Sequence, residues 1–157
     1  MKFTFFGALL LLLFSSCEKQ KLFISTSNEI KHITSDSFIT YTIKQGQQYC
    51  DSNPFVEVNY AELKFAVKFD SSAIYTTVNP SNQNDINKLY GFSDNNSAHH
   101  LFSARFGWRW SDKALRLFGY IYNDGNRISK ELGTIEIGSE NNCSIKVIGN
   151  HYIFSFK

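Results

Sequence analysis

The chain has 157 residues, with 16 Lys and Arg against 14 Asp and Glu, a net charge of +2 at neutral pH. That near balance offers no basic face, so a nucleic-acid partner has no electrostatic support. Aromatic residues make up 16% of the chain; with frequent Ile, Val and Thr, this composition favours strands over helices in one core-bearing domain.

The first element is an apolar run. Lys2 precedes Phe5–Phe14, which is apolar apart from Gly7 and contains consecutive leucines at Leu9–Leu13. As a helix it spans about 15 Å, half of a roughly 30 Å hydrocarbon core, so it suits an export signal better than a permanent span. Small Ser15 and Ser16 lead to Cys17 and then to the polar Glu18-Lys19-Gln20-Lys21. Phe14-Ser15-Ser16-Cys17 resembles a lipobox, with Phe where Leu is usual. The expectation is cleavage before Cys17 and acylation of its thiol, which tethers the protein to a membrane. The plainer alternative is an ordinary secretory signal cut near Ser16. The expected division is 1–16 signal peptide, 17–36 lipidated Cys and tether, and 37–157 a single domain.

Lipidation of Cys17 leaves Cys50 and Cys143 as the one internal pair, in a compartment able to oxidise them. A disulfide there would contribute on the order of 4–5 kcal/mol in the chain-entropy model. The alternative is two unpaired core residues.

Strand signals then recur. Ile39, Tyr41 and Ile43 alternate with polar residues up to Gly46, and Leu63, Phe65, Val67 and Phe69 form a cleaner half-buried pattern. Ala73–Val78 follows a Ser-Ser turn as a candidate hairpin partner. After the Asn79–Asn84 loop, Asp85–Tyr90 reads as a short helical turn, and Asp94–His100 as a second polar loop. Ala104, Phe106, Trp108 and Trp110 share one side of a strand, opposite Ser103, Arg105, Gly107 and Arg109. Leu115, Leu117, Gly119 and Ile121 alternate with Arg116, Phe118, Tyr120 and Tyr122, before a tight-turn signal at Asn123-Asp124-Gly125. Leu132–Ile137, Ser144–Ile148 and Tyr152–Phe156 complete the series, with a Gly149-Asn150 turn. The pattern predicts an all-β domain: an antiparallel β-sandwich, jelly-roll-like, of about 8–9 strands with at most one short helical turn.

His99–Trp110 (HHLFSARFGWRW) and Leu115–Asn126 (LRLFGYIYNDGN), with Tyr41–Lys44 and Asp85–Phe92 upstream, resemble a group of small lipoproteins of Bacteroidota. The motif most specific to that group is Ser103-Ala104-Arg105-Phe106-Gly107-Trp108-Arg109. The resemblance implies an outer-membrane lipid anchor and carries no assigned activity. An acidic or Lys-acidic run after the acylated Cys accompanies surface display in such bacteria. Glu18-Lys19-Gln20-Lys21 departs from it, which favours the periplasmic face.

For chemistry, the chain lacks a nucleophile elbow, a phosphate-cradling Gly-rich loop and paired zinc-ligand spacing. Adjacent His99 and His100 on an extended chain point to opposite sides and make a poor joint metal site, so no metal or cofactor is expected. A ligand surface is easier to motivate. If the strands pair across residues 111–114, Arg105 and Arg109 share a face with Tyr120 and Tyr122, near His99 and His100. Rings stack on apolar sugar faces while guanidinium groups donate to hydroxyl or carboxylate oxygens. Gly107 and Gly119 then suggest close approach of a ligand or another backbone. The competing reading is structural: Phe118 and Tyr122 as core, the arginines stacked over the rings. Trp108 and Trp110 read as core. The expected function is therefore a membrane-anchored envelope protein that binds a glycan or another envelope ligand, or serves structurally. A small envelope hydrolase and an accessory or immunity-type subunit are the alternatives.

Overall fold

A computed structural model describes residues 38–47, 49–52 and 56–157. The signal peptide, Cys17 and the tether lie outside the described residues. The chain divides into two units, Met1–Pro54 and Phe55–Lys157.

In the first unit, Ile39–Lys44 forms no strand, contrary to its alternation. A strand needs a ladder partner along its length. Here the chain is bridged at one point, where Thr42 N donates to Asp51 Oδ1 and Asp51 N donates to Thr42 O, each at 3.0 Å. Ile39, Tyr41 and Ile43 are left exposed.

The second unit is all-β, with seven strands among the described residues rather than the larger number expected. They are β1 (Glu62–Lys68), β2 (Asn87–Ser93), β3 (Ser103–Ser111), β4 (Ala114–Asn123), β5 (Asn126–Ile135), β6 (Glu140–Ile148) and β7 (His151–Phe156). They form two antiparallel sheets, one in the order β1-β6-β7 and one in the order β2-β3-β4-β5.

Turn chemistry sets the hairpins. Asp112 and Lys113, both at positive φ, join β3 to β4, and Asp124 and Gly125, also both at positive φ, join β4 to β5. Two left-handed residues match the twist of the strands they connect, and Asp-Gly is a preferred pair for it. The resulting register sets Arg105 opposite Tyr120, Gly107 opposite Phe118 and Arg109 opposite Arg116.

Two expectations about the segment before β2 fail. Ala73–Val78 does not pair with β1. Ser71–Ala73 is a short 3-10 turn capped by Asp70, whose carboxylate accepts from Ser72 N at 2.8 Å. Burial of Ala73 and the hold of Gln83 on Thr77 N (2.9 Å) and Tyr75 O (3.3 Å) fix the chain between this turn and the next. The helical turn also falls earlier than Asp85–Tyr90, at Pro80–Asn84, where Pro80 opens it and the Asn79 side chain accepts from Ser81 N. Of the residues expected to be helical, Asn87–Tyr90 enter β2 instead.

Alternation places the core. Ala104, Phe106, Leu117, Cys143 and Ile145 are buried together, and Leu63, Phe65, Val67, Trp108, Ile121, Phe154 and Phe156 pack against them. Phe106, fully buried, meets Phe65 edge-on at 5.6 Å and Phe154 at 5.2 Å, so one side chain of the four-stranded sheet touches both outer strands of the other. Edge-to-face rings at this spacing add to the stabilisation from burial alone. Trp108 joins the core through Phe69 (5.1 Å) and Tyr75 (5.8 Å), and Trp110 is half-buried.

Candidate functional site

The opposite face of the four-stranded sheet carries the residues singled out by sequence. Its two halves differ in how their charges are met.

In the half nearest the Asp112-Lys113 turn, every guanidinium is engaged. Arg109 lies over the Phe118 ring at 4.9 Å while its Nη1 donates to Asn84 O at 2.8 Å and its Nε to Ser111 Oγ at 3.1 Å. Arg116 Nη1 donates to Glu131 Oε1 at 2.8 Å and its Nη2 to Asp112 Oδ2 at 3.1 Å. Those acidic partners hold the Arg116 pKa above its ordinary value. Phe118 is 5% exposed. This half matches the structural reading of the stripe: arginines stacked and tied down over a buried ring.

The other half is different. Arg105 stands opposite Tyr120 on β4 and opposite Gly91 on β2. It is half-buried, and its Nε is buried with no hydrogen-bond partner. Burial pushes its pKa down, although a guanidinium stays cationic at neutral pH. Tyr120 is 4% exposed, and burial first, then the neighbouring Tyr122 hydroxyl, pushes its phenol above the ordinary value; Arg127 pulls the other way. The two tyrosine rings are 5.8 Å apart. Full burial of Tyr120 removes it as a contact residue and makes it the floor on which Arg105 and Tyr122 sit.

The loop before β3 brings in the histidines. Leu101 N donates to Ala98 O at 2.8 Å and Gly125 N to Leu101 O at 3.1 Å, so the loop turns back on the β4–β5 hairpin. Buried Ser103 donates from Oγ to His99 O at 2.7 Å. This folded-back chain corrects the expectation that His99 and His100 diverge: in a turn, unlike a strand, neighbouring side chains are not held on opposite faces. Their rings are 4.0 Å apart, and His100 lies 5.2 Å from Tyr122. The His99 pKa is lowered by burial first and then by the charges of His100, Arg105 and Lys88.

Two residues absent from the sequence-based set complete the group. Lys88 Nζ lies 3.4 Å from His100 Nε2 and 6.0 Å from the Tyr120 ring centre. Arg127 pairs across from Tyr122 on β5. A residue count across the Asp124-Gly125 turn is sufficient to find Arg127; Lys88 is hidden by the helical reading of its segment.

The glycines serve packing rather than a ligand. A Cβ on Gly107 would meet Ile86 Cγ2 at 2.5 Å, and one on Gly119 would touch the Phe154 ring at 3.4 Å. Cys50 and Cys143 are free thiols: Cys143 is buried in the core with its pKa pushed up to about 11 by desolvation, and Cys50 donates to Ser52 O at 2.6 Å. No three His, Cys, Asp or Glu side chains converge as metal ligands among the described residues. An open depression of about 420 Å³ lies on the three-stranded sheet, lined by Lys64, Ala66, Asn142, Ser144, Ser155 and Lys157 among others. Lys64 there pairs with Glu62 at 3.2 Å, and no set of acids and bases faces into it.

Comparison of the chain with protein-family models, curated proteins and solved structures finds no match.

Proposed function

We propose that this protein is a lipid-anchored component of the bacterial cell envelope, tethered to the outer membrane through Cys17. Its domain is a β-sandwich that binds a glycan on the outer face of the four-stranded sheet. The anchor reading rests on the short apolar run and the small residues before Cys17. The sandwich reading is supported by a core cluster, among the described residues, to which both sheets contribute.

The observation that carries the binding reading is Arg105. It is a half-buried guanidinium set among Tyr120, Tyr122 and His100, whose Nε is sealed in the fold while its terminal N–H groups make no hydrogen bond to the described residues and are left for something outside the chain. Flat aromatic surface beside a guanidinium suits a sugar, whose apolar ring face stacks while its oxygens accept hydrogen bonds. The site lies on the sheet surface, where an extended chain of sugars has access.

Two experiments test the reading. Full-length protein in detergent, applied to a glycan array, should bind a restricted set of glycans, and Arg105→Ala or Tyr122→Ala should remove that binding. Wild-type protein that binds no glycan refutes the binding face. For the anchor, Cys17→Ala should abolish incorporation of radiolabelled palmitate and release the protein from the membrane fraction.

A further inference from the structure

We infer that the Lys88, Arg105, His99 and His100 cluster is an oxyanion site, taking a carboxylate, sulfate or phosphate carried on a saccharide. This rests on the binding-face reading above and names the class of glycan.

The argument is one of unmatched charge. Within a single sheet face, Arg116 is held by two carboxylates, Glu131 and Asp112. Arg105 and Lys88 have none: among the described residues no ion pair involves either, and no carboxylate bears on the titration of Arg105 or His99. Lys88 instead faces an imidazole nitrogen of His100. Two fixed cations and two imidazoles therefore gather at one spot without a counter-charge. Arg105 is the cation partly taken out of water, which a partner of opposite sign offsets.

The donor geometry suits an oxyanion. The Arg105 Nε is sealed within the fold, but its two terminal nitrogens make no hydrogen bond to the described residues, and that end of the fork matches two oxygens of one anionic group. Lys88 brings a rotatable ammonium, and a protonated imidazole adds a charged N–H. A bound anion would raise the lowered His99 pKa, so binding takes up a proton there and tightens as pH falls.

Tyr122 flanks the cluster with aromatic surface, 5.2 Å from the His100 ring, which favours an anion borne on a ring over a free ion. A lipid headgroup presents the same oxyanion, but a bilayer meets its ligands on protruding lysines. Arg105 is recessed beside Gly91, with Tyr120 buried beneath it.

The test follows His ring and Arg Nε–H resonances of the full-length protein in detergent by NMR. The titrants are glucuronic acid, glucose, inorganic phosphate and phosphatidylglycerol vesicles. Glucuronic acid should bind saturably, at least tenfold tighter than glucose, and shift the His99 titration upward. Arg105→Gln, and independently the exposed Lys88→Gln, should each weaken it about tenfold, while Lys64→Gln on the other sheet should not. Equal binding of glucose and glucuronic acid overturns the oxyanion site and leaves the glycan face standing. Binding of phosphate or vesicles without either sugar overturns the saccharide assignment. No saturable response to any titrant overturns both.

Discussion

Replacing Arg105 with Met should make the free protein more stable, while the same change at Arg109 should make it less so. The two arginines lie on the same face of β3, four residues apart, so their local context is similar and their partners are not. Arg105 Nε is buried without a partner. A fully buried unmatched donor costs about 1–3 kcal/mol, and the half-exposed side chain places the gain from its removal near the lower end, about 1 kcal/mol. Met keeps the length needed to cover Tyr120. For a unit of this size, 1 kcal/mol corresponds to a rise of about 4–8 °C in Tm. Arg109→Met loses hydrogen bonds to Asn84 O and Ser111 Oγ and the stack on Phe118. Together these are worth about 2 kcal/mol after allowance for solvent exposure, a fall of about 8 °C or more. Thermal melts monitored by tryptophan fluorescence and urea midpoints should agree on the opposite signs. Added glucuronic acid should raise the Tm of wild type and leave Arg105→Met unmoved, because only a state that binds ligand is stabilised by it. If both variants lose stability to a similar degree, Arg105 is a structural residue and the unmatched-charge reasoning fails.

Three further outcomes are expected. The His99 pKa lies below its ordinary value of 6.5, so the unfolded chain binds the proton more readily. Stability should therefore fall as pH drops from above 6.5 through the folded-state pKa, and His99→Gln should flatten that part of the Tm profile; an unchanged slope in the variant contradicts it. Cys143, buried and pushed up to about 11, should resist a thiol reagent until denaturant is added, while Cys50 reacts in the native state. Labelling of Cys143 in the native protein at the rate of Cys50 would contradict its burial. Gly91→Ala would drive a Cβ into Ala104 O and the Arg105 Cα and Cβ. Backbone cannot yield cheaply there, so a loss of about 3 kcal/mol is expected. Gly138→Ala, in open space at φ +84°, should lose about 1 kcal/mol; comparable losses by urea denaturation would show that β2 is not held this closely.

Where alternation meets a ladder partner, the sequence is sufficient. The faces of β1, β3 and β4, and the Asp124-Gly125 turn, follow from period-2 patterning and turn chemistry. Ile39–Lys44 shows the limit: its alternation is as regular as that of β1, but pairing is a long-range property that a local pattern does not contain. The departure at β2 has a sharper cause. The β2–β3 register shifts between Lys88 and Gly91, so an odd residue interval separates two positions paired with the same face of β3. A three-residue step imitates helical spacing, and the local pattern therefore reads as a helical turn. The candidate site is legible as a list of residue types. Which arginine is satisfied is not, because Arg109 is tied down by Asn84, 25 residues earlier in the chain. The histidines escape a strand-based reading because a turn carries them.

The shifted register of β2 has a further consequence for tracing this protein's kin. With the bulge, the residue beside Arg105 is Gly91, and any larger side chain collides with the Arg105 backbone. The site thus leaves a written trace: a Lys, two residues that pack on the core, a Gly, and an Arg fourteen positions after that Gly. Chains that keep the arginine for its charge should keep the glycine for its lack of a side chain. Where the arginine has been lost, the glycine is still fixed by Ala104 O. A census of distant sequences for these linked positions can therefore separate lineages that retain the charged cluster from lineages that retain only the scaffold.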